Sequence, residues 1–190
     1  MKKILSIALI LVCVCALFAC GGGGNKFVNA VANTNPDTAT ITTVTTTELG
    51  DLTGTFTVTY GDDGAATIEY SYEQWNKVGE GDEPKSTVTG TITRQEDGSY
   101  SDGKGFTGTA DEVTAGFNLN LESVVETAEV NAAGDTLTAT VLKADTETVL
   151  GVAFDYDVEL KVVINGDVVE TITVTFENGG NSGSITCKYK

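Results

Sequence analysis

Apolar and polar residues alternate one by one along most of this chain, and that period constrains the fold more than any other feature. Side chains on a β-strand point to opposite faces in turn, so each alternating segment has one apolar and one hydrated face. Threonine fills most polar positions, because its branched side chain suits a pleated surface while its hydroxyl stays hydrated. The apolar members of the main segments are Phe56, Val58 and Tyr60; Ile68, Tyr70 and Tyr72; Val88 and Ile92; Phe117, Leu119 and Leu121; Leu137, Ala139 and Val141; Phe154, Tyr156, Val158, Leu160, Val162 and Ile164; Ile172, Val174 and Phe176; and Ile185, Cys187 and Tyr189.

Short turn signals separate these segments, and strands joined by such links pair as antiparallel hairpins. We therefore predict one all-β domain over residues 38–190, an antiparallel up-and-down meander that forms a strongly curved sheet or incomplete barrel. A β-sandwich is the alternative, although the segments are long for sandwich strands. The turn signals are Asp62-Asp63-Gly64, Glu96-Asp97-Gly98, Gly134-Asp135, Asn165-Gly166 and Asn178-Gly179-Gly180.

Residues 121–133 combine two patterns. Leu121, Val124 and Val125 have helical spacing, and Ser123 with Glu126 imitates a capping box. The β-branched content and the alternating flanks favour a strand, which we predict. A helix here, lying across an open curved sheet, would resemble the architecture of carriers that hold lipids between sheet and helix.

The first residues have the layout of an export signal. Lys2 and Lys3 precede an uncharged run over residues 4–19 that is short for a membrane-spanning helix. The run ends in Leu17-Phe18-Ala19-Cys20, which resembles the lipobox of bacterial lipoproteins, although Phe18 departs from the small or β-branched residue usual there. The resemblance covers residues 1–20 and implies cleavage before Cys20 and acylation of its thiol, with palmitate as a typical acyl chain. The alternative is an ordinary cleaved signal peptide in which Cys20 is incidental.

We accordingly divide the chain into three parts: a signal peptide over residues 1–19, a lipidated cysteine with a flexible tether over residues 20–37, and the β-domain. The lipid at Cys20 would hold the protein on the extracytoplasmic face of the cell membrane or outer membrane. Cys13 and Cys15 leave with the signal peptide, so Cys187 is the one thiol of the domain and no internal disulfide forms. Cys187 shares the apolar parity of its strand, and we expect it to be buried and unreactive.

Composition excludes several classes of function. The chain has no histidine, which removes Ser-His-Asp and Cys-His catalysis and His-ligated metals. The net charge of −16 repels phosphate backbones, so nucleic acid is not an expected partner. We predict no catalytic residue, no metal and no cofactor.

Carboxylates are the remaining acid–base groups. Asp155, Asp157 and Glu159 alternate along one predicted strand face, where they would hold calcium, meet a basic partner or face solvent. They fit no calcium-loop spacing and no second acidic strand is evident, so we interpret them as a hydrated face that discourages pairing with other chains.

The Asn165-Gly166 signal predicts the register of the last hairpins. A two-residue loop there would set apolar positions against threonines, so the pattern requires an odd-length loop or a bulge. We predict a three-residue loop that places Val158 opposite Ile172 and Phe154 opposite Phe176. In that register Glu170 faces inward, opposite Leu160.

Trp75, Tyr70 and Tyr72 are the candidate ligand-binding residues. Tyr70 and Tyr72 share one face, and Trp75 has the opposite parity. An exposed Trp75 would be a platform for a sugar or an acyl chain, whereas a packed Trp75 would close one end of the core, which is the interpretation we prefer.

Together these features favour a membrane-anchored, extracytoplasmic lipoprotein with a non-catalytic binding or scaffolding domain. The partner, a protein or a small apolar ligand, is not identified by any motif. One alternative is a carrier of a lipid or other apolar ligand inside the curved sheet. Another is a glycan-acting enzyme, which requires two facing carboxylates about 5 to 10 Å apart.

Overall fold

The structure is a computed structural model, and it describes residues 25–61, 65–76, 84–108, 120–121, 123, 130–151 and 153–190. A short 3₁₀ turn at Lys143–Asp145 leads into the helix Thr146–Leu150. The labelled elements, in chain order, are α1 (Asn25–Asn33), β1 (Thr38–Thr47), β2 (Gly50–Tyr60), β3 (Ala66–Trp75), β4 (Lys85–Arg94), β5 (Tyr100–Ser101), β6 (Thr107–Gly108), β7 (Val130–Ala133), β8 (Thr136–Val141), α2 (Thr146–Leu150), β9 (Val158–Asn165), β10 (Val168–Asn178) and β11 (Asn181–Tyr189).

The described strands form one antiparallel sheet of eleven, in the order β6-β5-β4-β3-β2-β1-β11-β10-β9-β8-β7. Two meanders, β1 to β6 and β7 to β11, are joined where the first strand pairs with the last, from Ala39 opposite Tyr189 to Thr46 opposite Ser182. Among the described strands, β6 and β7 are the two edges of the sheet, so the sheet is not closed into a barrel by the strands that the structure describes. The predicted all-β curved meander is confirmed, and the sandwich alternative is wrong because the described strands make a single sheet.

One face of the sheet carries the core, as the alternation predicts. Buried residues from neighbouring strands lie directly opposite one another, and each contributes about 1.5–3 kcal/mol through removal of its side chain from water. The strand β1 is not evident from the alternation because threonine occupies both of its faces, with Thr43 and Thr45 on the core side beyond Ala39 and Ile41. One row of opposed core residues crosses six strands as Phe56, Ile41, Cys187, Ile172, Val162 and Leu137.

The helix α1 packs against β9 and β10, which corrects the prediction of a flexible tether over residues 20–37. Phe27 and Ala30 are fully buried, one helical turn apart on the same face. Thr34 continues that face: its Oγ1 donates to Ala30 O at 2.6 Å and accepts the backbone N–H of Val169 at 2.8 Å. The tether prediction is therefore wrong from Asn25 onward, because apolar residues at helical spacing outweigh the Asn-rich composition. Residues 20–24 lie outside the described part of the chain.

The hairpin between β9 and β10 has a two-residue loop and a bulge in place of the predicted three-residue loop. Asn165 pairs with Val168 across Gly166 and Asp167, and Gly166 adopts a φ of 63°, which glycine reaches without a Cβ clash. The register then shifts between Val169 and Thr171. The bulge, the other solution that the pattern allows, restores the apolar face after the loop has displaced it.

The predicted register is consequently wrong by several residues. Val158 pairs with Phe176, not with Ile172, and Leu160 pairs with Val174. Glu170, at the bulge, does not oppose Leu160; its carboxylate lies 3.9 Å from Lys188 Nζ in a partly exposed ion pair.

Three of the other turn predictions are confirmed. Gly98, Gly134, Gly179 and Gly180 all have positive φ at the predicted turns. Asn178 pairs with Asn181, so Gly179 and Gly180 form a two-residue hairpin loop. Both residues of such a loop adopt positive φ, which glycine allows. The signal at residues 62–64 lies outside the described residues.

Among the described residues of the segment 121–133, the strand prediction holds at Val130–Ala133, which form β7. Leu121 and Ser123 are helical instead. Asn120 Oδ1 accepts the N–H of Ser123 at 3.2 Å, the geometry of a helix N-cap, so a cap just before the segment favours helical backbone at its start. Residues 117–119, 122 and 124–129 lie outside the described residues.

Candidate functional site

Tyr70 and Tyr72, two of the predicted ligand-binding residues, are parts of the core. Tyr70 is 5% exposed, and its hydroxyl donates to Asp102 Oδ2 at 2.8 Å. Its ring lies over Gly90 on the adjacent strand, where a Cβ would come within 2.4 Å of Tyr70 Cζ. Tyr72 is half-buried and stacks on Phe56 with ring centroids 6.5 Å apart. These contacts give both tyrosines a structural role.

Asp102 fixes the tip of Tyr70 and is itself fixed by the backbone. Its Oδ1 accepts the N–H groups of Lys104 at 2.7 Å and Phe106 at 3.0 Å. Partial burial works to raise the pKa of Asp102, but the hydrogen bonds from Lys104, Tyr70 and Phe106 together lower it. Burial, with help from Asp102, raises the pKa of Tyr70 to about 12. The pair is therefore a carboxylate bound to a neutral phenol at neutral pH.

Trp75 is the last residue of β3 and is half-buried. Its exposure is intermediate between the two interpretations of the sequence, a packed core residue and an exposed platform. A Cβ on Gly50 would lie 3.7 Å from Trp75 Cη2, so the indole covers the start of β2. Lys85 Nζ lies 5.2 Å from the indole centroid and 3.8 Å from Glu73 Oε1. The indole therefore covers a strand end and carries a cation on its ring.

The acidic residues predicted to alternate along one strand are divided between a loop and β9. The strand begins at Val158, because the chain before it is tied to α2 through Phe154 N, which donates to Thr146 Oγ1 at 2.9 Å. Asp155 lies 3.4 Å from Lys143 Nζ, and Asp157 accepts the N–H of Lys143 at 2.8 Å. Glu159 lies on the outer face and accepts the Thr140 hydroxyl at 2.6 Å.

An open groove of about 540 Å³ runs across the outer, hydrated face of β1, β11, β10 and β9. One cross-strand row in it runs from Val44 through Ser184 and Thr175 to Glu159. The next row joins Thr46, Ser182 and Glu177. The complete lining is Val44, Thr46, Asp157, Glu159, Thr175, Phe176, Glu177, Ser182, Gly183 and Ser184.

The expectation that no second acidic strand stands beside Asp157 and Glu159 is wrong, since Glu177 of β10 lines the same groove. Glu177 follows Phe176, which pairs with Val158, so it arrives level with Asp157. The predicted register would have placed Glu177 away from both residues. The register differs from the predicted one because the two-residue loop lies at Gly166-Asp167 and because the bulge at Glu170 adds one further residue, which no residue type in that stretch announces.

The groove offers hydrogen-bond acceptors and hydroxyls. Hydroxyls of Thr46, Thr175, Ser182 and Ser184 can donate or accept, while the carboxylates only accept when ionised. Within the described ranges, no three carboxylate or thiol groups are close enough together to hold a metal ion. The groove is thus suited to a ligand that donates hydrogen bonds.

Cys187 is fully buried on β11, as predicted, and burial raises the pKa of its thiol to about 12. Cys20, the predicted lipidation site, lies outside the described residues. In the part of the chain that the structure describes, no helix has the length and apolar character needed to cross a membrane.

Comparison with known proteins adds no family to these observations. No protein-family model matches the chain, and no curated protein matches it in sequence.

Proposed function

We propose that this protein is a lipid-anchored, extracytoplasmic lipoprotein whose sheet domain binds a partner without catalysing a reaction. The observation that carries the proposal is the sequence Leu17-Phe18-Ala19-Cys20 at the end of a short apolar run preceded by Lys2 and Lys3. A thiol placed there resembles the acylated cysteine of lipoproteins, and two or more acyl chains give stable membrane attachment.

The partners of the described carboxylates support a non-catalytic domain. Glu159 is held by Thr140, and Asp157 by the backbone of Lys143. Glu73 accepts both the N–H and the hydroxyl of Thr53, at 2.8 and 2.9 Å. Each of these groups has a structural partner that explains its position, and the thiol of Cys187 is enclosed in the core.

The outer groove is the surface that we assign to the partner. Its hydroxyls and carboxylates complement a protein surface that presents basic side chains, because Lys and Arg donate hydrogen bonds and carry the opposite charge. The chain's net charge of −16 would also speed encounter with a basic partner in a salt-dependent way.

Metabolic labelling with a fatty acid tests the anchor. We expect label in the wild type and none in Cys20→Ser, which should also leave the membrane fraction or remain as precursor. Cys187→Ala is the matched control, since it removes the other thiol of the mature chain and should keep the label. Equal labelling of wild type and Cys20→Ser would refute the anchor.

Photo-crosslinking in intact cells tests the groove. A photoreactive residue at Ser184, inside the groove, should give a discrete protein adduct, whereas one at Thr55 on the same face of β2 should not. Adducts of equal yield from both positions would contradict a groove-specific partner. Lipid that co-purifies in stoichiometric amount with the folded domain would instead favour the apolar-ligand carrier.

A further inference from the structure

The short distance along the chain between Cys20 and α1 limits where the anchored domain can sit. Only Gly21-Gly22-Gly23-Gly24 separate Cys20 from Asn25, the first residue of α1. Five residue steps span about 17 Å at full extension, at roughly 3.4 Å per step. If Cys20 is anchored in the membrane, Asn25 at the start of α1 therefore lies within about 17 Å of the Cys20 backbone.

The start of α1 is fixed to the sheet, so this limit applies to the whole domain. Lys26 Nζ donates to Gly134 O and lies 3.1 Å from Asp135 Oδ1, in the turn between β7 and β8. Phe27, one residue on, is fully buried. The salt bridge itself is exposed and weak, but burial of an aromatic side chain holds the helix in place.

We define the α1 end of the sheet by α1, the Gly134-Asp135 turn and the Gly166-Asp167 turn. The distal end carries the Glu48-Leu49 and Gly179-Gly180 turns, with Leu49 75% exposed. Along β1, Thr38 at the α1 end and Thr46 at the distal end are eight residues apart, or about 26 Å at roughly 3.3 Å per residue. The outer groove belongs to the distal half, because Thr46, Ser182 and Glu177 lie beside the distal turns.

We infer that the lipid on Cys20 holds the domain with its α1 end against the bilayer surface and its distal end, with the outer groove, turned to the aqueous phase. This inference rests on the proposed lipidation of Cys20. Its partner surface is the lipid headgroup layer, which meets the α1 end because the chain between lipid and helix is too short to let the domain turn over. The groove is thereby presented to partners that approach from outside the membrane.

Tryptophan quenching by lipids with a nitroxide on the headgroup tests this orientation in the full acylated protein on phosphatidylcholine–phosphatidylglycerol vesicles. Trp75, the sole tryptophan, ends β3 at the distal end and reports on that end. Asn29→Trp in a Trp75→Phe background places the reporter on the exposed side of α1. We expect quenching of the α1 reporter to be at least threefold stronger than quenching of Trp75.

Vesicle flotation separates failure of this inference from failure of the proposed function. Protein that floats with the vesicles and shows equal quenching at both reporters, or stronger quenching at Trp75, overturns the orientation alone. If the protein purified from cells carries no acyl chain and does not float with the vesicles, the lipid anchor is refuted, and the orientation is refuted with it. Twenty Gly/Ser residues inserted after Gly24 provide a matched control, and they should bring quenching of the α1 reporter down toward that of Trp75. Unchanged strong quenching in that variant would show that the α1 end binds the bilayer by itself, against the tether-length argument.

Discussion

Two aromatic clusters occupy the core face on either side of the β1–β11 pairing. The N-terminal cluster is Phe56, Tyr70 and Tyr72, and the C-terminal cluster is Phe154, Tyr156 and Phe176. In each, one ring covers a glycine of the neighbouring strand: Tyr70 covers Gly90, and Phe176 covers Gly183. Placing a large ring over a residue without a Cβ fills the core without spreading the strands.

The clusters differ in what holds the ring over its glycine. Tyr70 is held at its tip by the hydrogen bond to Asp102, and the atoms nearest a Cβ on Gly90 all belong to the Tyr70 side chain. Phe176 has no polar atom and is held by Tyr156, with centroids 5.1 Å apart. A Cβ on Gly183 would also meet the backbone oxygen of Val44 at 2.8 Å. A side chain can rotate to make room, whereas a paired strand backbone cannot, so the C-terminal site should tolerate less.

The largest effect is expected for Gly183→Ala. Its new methyl would lie 2.4 Å from Phe176 Cζ as well as near Val44 O. Overpacking of this kind should lower the free energy of unfolding by about 3 kcal/mol. Urea denaturation followed by fluorescence would measure it, with Ser182→Ala, the preceding residue on the outer face, as the control. A loss no larger than that of Ser182→Ala would show that the strands yield and would remove the distinction between the clusters.

A smaller effect is expected for Gly90→Ala. The methyl would displace the Tyr70 ring, which must break its hydrogen bond to Asp102 in order to move. We expect a loss of about 2 kcal/mol in the same denaturation assay. In the Tyr70→Phe background the substitution should cost less, since the hydrogen bond is already gone. An equal cost in both backgrounds would mean that Tyr70 does not move, contrary to the comparison.

The smallest stability effect is expected for Tyr70→Phe, about 1 kcal/mol, because Asp102 keeps its two backbone donors. Its pH dependence is more informative. Burial and Asp102 raise the pKa of Tyr70 from 10.0 to about 12. The folded state therefore binds the phenolic proton more tightly than the unfolded state, and this contribution is complete below pH 10 and lost as the pH rises from 10 to 12.

Denaturation of wild type and Tyr70→Phe across that pH range would test the titration. The wild type should lose stability more steeply than Tyr70→Phe above pH 10, and the two profiles should cross before pH 12, because a pKa shift of this size outweighs the advantage of about 1 kcal/mol that the wild type has at neutral pH. Tyr72→Phe serves as the control for a half-buried tyrosine in the same cluster. Parallel pH profiles for wild type and Tyr70→Phe would exclude Tyr70 as the titrating group.

The contrast between the clusters also shows how far the sequence reaches. Alternation identifies the strand faces of Tyr70 and Phe176, and glycine-containing turns locate the hairpins, because both signals are local. Which glycine lies under which ring depends on strand register. The Gly179-Gly180 loop places Phe176 opposite Gly183, whereas the β9–β10 register depends also on the bulge at Glu170, which no local signal reports. The tertiary packing of Phe27 similarly turns an Asn-rich segment into a helix that composition alone predicts to be a tether.

The candidate site was predictable only in part for the same reason. Asp157 and Glu159 stand out as an acidic pair in the sequence, but Glu177 joins them only after β9 and β10 are correctly aligned. The hydroxyls from β1 and β11 join through the pairing of the first strand with the last, a contact between residues more than a hundred positions apart. No local pattern predicts such a contact, because the sequence of a strand shows the same alternation whichever strand it pairs with.

The reactivity of Cys187 gives the least perturbing test, because it can be measured in the wild-type protein without a substitution at Gly90 or Gly183. It lies fully buried on β11 and is opposed by Ile41 and Ile172. Burial raises the pKa of its thiol to about 12, so almost none is present as the reactive thiolate at pH 8. A thiol reagent should therefore modify the native protein at least a hundredfold more slowly than the denatured protein.

Gly183→Ala, on the same strand, should accelerate native labelling more than Gly90→Ala, which acts on the far side of β2 and β3. Rapid and complete labelling of the native wild type would refute burial, and equal acceleration by both variants would show that the two clusters open as one unit.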